Sequence, residues 1–153
     1  MLKDHGVPIR KADSASRLRS FEEKLPKPLP RSCESLLAQY SFPSLDVLGI
    51  SLFAWESDSS PYIQEALASK ASLSEVLVPA GYVQIGQPDT GNFDAIGFDF
   101  NQQVQNREYR IVRVDHEEIL CHWRVRVTAE CWASFIKLIE AALGDEDPHV
   151  YCE

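Results

Sequence analysis

Residues 82–100 read YVQIGQPDTGNFDAIGFDF, and the way this stretch folds decides the class of the whole chain. YVQIG alternates in the two-residue rhythm of a strand, and part of FDAIGFDF does the same. QPDTGN lies between them. Pro88 presets φ for one turn position, while Gly91 and Asn92 accept positive φ at others. That is hairpin chemistry. Asp89, Asp94 and Asp99 crowd the same stretch, so two other readings compete. A helix–loop–helix calcium site wants oxygen ligands at alternate positions and an acidic closing residue; here Gly91 takes the third position and the flanks are strand-like. Asp94 and Asp99, five residues apart, would point to opposite faces of a regular strand and so make a poor catalytic pair. The hairpin uses each residue where it stands. Asp89 and Asn92 bond their own backbone in the turn, and Asp94 is expected to face water at a strand edge.

Working outward, EYRIVRVD reads as a further strand, and ILCHWRVRV as another, with Trp123, Val125 and Val127 on one face and Arg124 and Arg126 on the other. Thr128 is the expected cap of a helix over AECWASFIKLIEAAL, whose stripe would be Trp132, Phe135, Ile136, Ile139 and Leu143, with Gly144 as its stop. Upstream, SASRLRSFEEKL has helical spacing behind Ser14, and PKPLP breaks it. RSCESLLAQY gives a second helix. A buried strand is expected around residues 47–54 in LDVLGISLFAW. SPYIQEALASK opens with Ser60 and Pro61 in cap and first-turn positions, and SLSEVLVPAG adds a short helix ended by Gly81. Helices, a strand, helices, a run of antiparallel strands and a last helix make an α+β chain. The expected organisation is a loose leader over residues 1–13, one domain over 14–144 and an acidic tail over 145–153.

The 153 residues are 44% hydrophobic, which suits one domain with a core of its own. No apolar run reaches the roughly 18 residues of a membrane helix. The N-terminus lacks the apolar centre of a secretory signal, so the expected location is cytoplasmic. Cys33, Cys121, Cys131 and Cys152 form no C-x-x-C pair. The first three sit among apolar neighbours and read as small hydrophobes. Charge divides along the chain. Residues 1–31 carry eight Lys/Arg against four Asp/Glu, and residues 32–153 carry seven against nineteen, a net of −12. Such a body repels phosphates and attracts basic proteins, or simply stays soluble.

The densest set of reactive side chains is VDHEEILCH, with Asp115, His116, Glu117, Glu118, Cys121 and His122. As a strand it would bring His116, Glu118 and His122 to one face, where a zinc ion could sit. The helical protease pattern, two His four apart, is missing. There is no G-x-S-x-G elbow, no P-loop and no G-x-G-x-x-G. The basic leader, with Arg10, Lys11, Arg17 and Arg19, lacks interleaved aromatics, so no direct nucleic-acid binding is expected.

Leu29-Pro30 before a helix ending at Tyr40, then GISLF, SLSEVLVPAGYVQIGQPDTGNFDAIGFDF, IVRVDHEEIL and ASFIKLIE follow in an order that resembles the SUKH superfamily over about residues 25–143. Its members include bacterial immunity proteins and fungal cell-wall synthesis regulators. The matching points are Gly91 and Asp94, Asp115 to Glu117, and Ser134 with Phe135. Many members carry Asn-Gly after the early helix, where this chain runs QYSFPS. The resemblance implies a central, mostly antiparallel sheet flanked by helices, no catalysis, no cofactor and no metal. It also implies a protein that binds a cognate toxin, often a nuclease, and neutralises it by occlusion. On that reading Asp89, Asp94, Asp115, Glu117 and Glu118 would meet a basic toxin, with the chain as monomer or homodimer. A regulatory protein–protein module of cell-wall or signalling type is the alternative.

Overall fold

A computed structural model describes residues 8–56 and 73–144. The hairpin that opened the sequence reading is present. Strands β5 (Tyr82–Pro88) and β6 (Ala95–Val104) pair antiparallel, Tyr82 opposite Asp99 and Val83 opposite Phe98. In the turn Gly91 has φ +82° with open space where a Cβ would stand, so its role is conformational. Gly97 answers a different need. A Cβ there would lie 2.3 Å from the Val83 carbonyl oxygen, so the strands meet closely because a side chain is missing.

The hairpin is the middle of a six-stranded antiparallel meander. Its order is β3 (Leu45–Val47), β4 (Ile50–Leu52), β5, β6, β7 (Glu108–Val114) and β8 (Val127–Trp132). A second, two-stranded sheet joins β1 (Arg10–Lys11) to β2 (Tyr40–Ser41). Five helices lie among the described residues: α1 (Ala15–Glu22), α2 (Arg31–Gln39), α3 (Ser74–Leu77), α4 (His116–His122) and α5 (Phe135–Leu143). The alternation of β6 sorts them. Ile96, Phe98 and Phe100 point into the larger core with Phe21 of α1, Leu37 of α2 and Leu138 of α5. Ala95 belongs to a smaller cluster with Val112, Val114, Leu77 of α3 and Ile119 of α4. The chain is therefore α+β, with an antiparallel sheet covered by helices on both faces.

Five details depart from the sequence reading. The single strand expected at 47–54 is two strands, because Leu48 (φ 52°) and Gly49 (φ 80°) both turn left-handed between β3 and β4. The strand expected over ILCHWRVRV is the helix α4 for residues 116–122; Asp115 caps it, and Trp123 ends it at φ 53°. The helix expected from Thr128 begins only at Phe135, behind Ser134, because residues 127–132 are taken up as β8 along β7. In consequence Ile136 faces outward, and Phe135, Leu138 and Ala141 face the core. The leader is not loose throughout residues 1–13: Ile9 is buried, and Arg10 and Lys11 pair with Ser41 and Tyr40. Cys121, expected as a small buried hydrophobe, is exposed on α4. The helix expected at SPYIQEALASK and the acidic tail lie outside the described residues.

Candidate functional site

The residues singled out in the sequence converge where the β5–β6 turn meets the N-terminus of α4. Asp94 is the centre. It closes the turn, its backbone N–H donating to Asn92 Oδ1 at 2.7 Å. Its Oδ2 accepts from Arg113 Nε of β7 at 2.7 Å. Its Oδ1 accepts from the His116 backbone N–H at 3.1 Å and lies 2.7 Å from His116 Nδ1. A carboxylate in this position only accepts, so Nδ1 carries the proton. Burial raises the Asp94 pKa, but the two His116 bonds and the Arg113 bond and charge outweigh it, leaving the carboxyl below its usual value. Asp94 is 7% exposed. The expectation that it faces water at a strand edge, ready for a partner, is therefore wrong. It is a brace between three pieces of chain.

Asp115 and Glu118 are also occupied from within. Asp115 Oδ1 accepts from the N–H groups of Glu117 and Glu118 at 2.9 and 3.2 Å, capping α4, and its Oδ2 meets Arg126 at 2.9 Å. Glu118 pairs with Arg124 at 3.2 Å. Asp89 and Glu117 remain exposed, and neither forms a salt bridge among the described residues.

The zinc geometry open to His116, Glu118 and His122 depended on a strand. On a helix, Glu118 lies about 200° round the axis from His116, and it reaches toward Arg124 while His122 stands in solvent. A different trio is close: ligand atoms of Asp94, Asp115 and His116 all fall within 4.8 Å of one another. The hydrogen bonds above explain that proximity. Asp94 receives Arg113 and His116, and Asp115 receives the first turn of α4 and Arg126.

Sequence reasoning missed the apolar side of this region. Phe93, on the turn, is 66% exposed, and its ring packs edge-on against His116 at 6.1 Å between centroids. Leu120 and Trp123 are 63% and 69% exposed. The signal was available: an N-cap Asp followed two and three residues later by Glu marks a helix start. A helix there turns Leu120 outward. Arg113 was read only as part of a strand, and its link to Asp94 could not be seen from local spacing.

Elsewhere, an apolar cavity of about 60 Å³ lies under α2 and α5, lined by residues such as Leu37, Phe42, Leu52 and Phe135. Cys33 lines it too. Burial, then the charges of Glu108 and Glu22, push its thiol well above the ordinary range, so it stays protonated and unreactive.

No family model, curated protein or solved structure matches the chain. No helix among the described residues is long and apolar enough to cross a membrane.

Proposed function

We propose that this chain is a SUKH-type immunity protein, which binds a basic bacterial toxin and blocks it by occlusion without performing a reaction. One observation carries the reading: at the candidate site the reactive groups are spent on one another, while an aromatic anchor is left out in water. Asp94, His116, Arg113, Asp115 and Glu118 hold the architecture. Phe93 projects from the turn that follows Asp89, and its ring packs against His116, the chain neighbour of Glu117; both carboxylates are exposed and form no salt bridge among the described residues. Exposed aromatics rimmed by charge are the usual energetic centre of a protein interface. The net −12 of residues 32–153 would speed encounter with a cationic partner. The antiparallel α+β architecture and the ordered motifs of the sequence support the same reading. Within it, the contact set narrows from five carboxylates to Asp89 and Glu117, with Phe93 added.

The test is co-expression with the toxin encoded beside this chain's gene. Growth should be rescued and a complex should co-purify. Phe93→Ala should weaken the complex by about tenfold or more, and Asp89→Lys with Glu117→Lys should slow association. Undiminished toxicity with no complex would overturn the reading.

A further inference from the structure

The outward row of α4 carries a pattern of which the toxin reading uses only Glu117. Glu117, Leu120 and Cys121 occupy one exposed side of the helix at spacings of three and four. Arg124 follows just beyond the left-handed Trp123; its side chain is 71% exposed and lies 3.2 Å from Glu118 of its own chain, so a second copy's Glu117 would share or replace that solvent-exposed pair. The row reads acid, apolar, thiol, base. Turned end for end, it faces itself with opposite charges matched, Glu117 against Arg124, and Leu120 against the centre. Trp123 flanks that centre.

We infer that this face of α4 is an interface between two copies of the chain, packed antiparallel about a two-fold axis passing between Leu120 and Cys121. An isologous contact requires a self-complementary patch, and this row is one. The distribution of charge favours the same occupant over a basic protein at this spot. Residues 32–153 contain only seven Lys/Arg, and three of them, Arg113, Arg124 and Arg126, stand around α4. They nearly balance Asp94, Asp115, Glu117 and Glu118. Two strongly acidic bodies meet with least repulsion where each is locally close to neutral. Exposed Leu120 and Trp123 supply the apolar contact at that place. The helix is short, so the contact is small and the dimer weak, with a dissociation constant on the order of 10–100 µM. This inference does not rest on toxin binding. Should both hold, Glu117 belongs to both surfaces, and a second copy and a toxin exclude one another there.

Sedimentation of the full chain from roughly 1 to 500 µM, bracketing that constant, tests it. The average mass should rise reversibly from that of one chain toward two. Leu120→Lys, at a solvent-facing position, should leave the circular dichroism unchanged and weaken self-association about tenfold or more. Glu117→Arg and Arg124→Glu should each weaken it, and the two together should restore it. In a Cys152→Ser background, mild oxidation should give a covalent dimer through Cys121, since Cys33 and Cys131 are buried. A one-chain mass at every concentration would overturn the inference. So would a dimer that ignores both Leu120→Lys and the charge reversals.

Discussion

Asp94 ties its own turn, β7 and α4 together through one carboxylate, and its removal should be felt in all three. Asp94→Asn keeps the shape but loses the charge that Arg113 faces, so it should cost about 2–3 kcal/mol at neutral pH, measured by urea unfolding. The pH dependence has a definite sign. The folded carboxyl titrates below its unfolded value of about 3.9, so its stabilising contribution is complete above that value. It fades as the pH falls through the lower, folded value. Asp94→Asn should therefore flatten part of the acid limb of stability against pH; an unchanged acid limb would mean the brace contributes nothing. Two glycines separate conformation from space in the same hairpin. Gly91→Ala meets nothing but adopts positive φ, and should cost about 1 kcal/mol. Gly97→Ala drives a methyl into the Val83 carbonyl and should cost about 3 kcal/mol or more.

Helix α4 is where element-level rules and sequence patterning part company. Its start is fixed by Asp115, which satisfies two N–H groups and also binds Arg126. Asp115→Ala should therefore cost about 1–2 kcal/mol. Its end is fixed by Trp123 at φ 53°, a conformation that costs a bulky residue strain. Trp123→Gly should raise stability by about 0.5–1 kcal/mol, because an indole 69% exposed gives up little packing. A loss of stability instead would show that the indole packs to some purpose in the monomer. The β5–β6 hairpin was legible in the sequence because its determinants are local: Pro88, Gly91 and Asn92 between two alternating runs. The start of α4 was legible too, in Asp115, Glu117 and Glu118, but the alternation of WRVRV beside it won the reading. Thr128 looked like a helix cap because AECWASF has no strand signature of its own. What makes residues 127–132 a strand is the edge of β7, with Val112 opposite Glu130 and Ile111 opposite Trp132. Pairing between distant segments leaves no mark in a local window. The same limit hid the bonds from Ser32 N–H and Oγ to Glu108, both 2.9 Å, through which β7 closes the start of α2 behind Pro30.

Across the whole molecule, nearest-neighbour connections build the sheet outward from a centre that helices cover on both sides. Ala95 to Phe100 of β6 are all buried, and β7 is buried at Tyr109, Ile111, Val112 and Val114. β3 and β8 lie at the sheet's two ends, and Val127 to Glu130 of β8 are largely in solvent. Stability should grade accordingly, since local opening is easiest where few buried contacts must be broken. In native-state hydrogen exchange, amides of residues 96–99 and 109–114 that bond within the sheet should exchange only by global unfolding. Those of β3 and β8 should exchange earlier, and α4 should lie between. Asp94→Asn separates this gradient from a merely uniform loss. It should speed exchange in α4 more than at residues 109–111, because the carboxylate holds His116 and the end of β7 but not the far end of that strand. Equal acceleration everywhere would mean that α4 opens only when the whole molecule does.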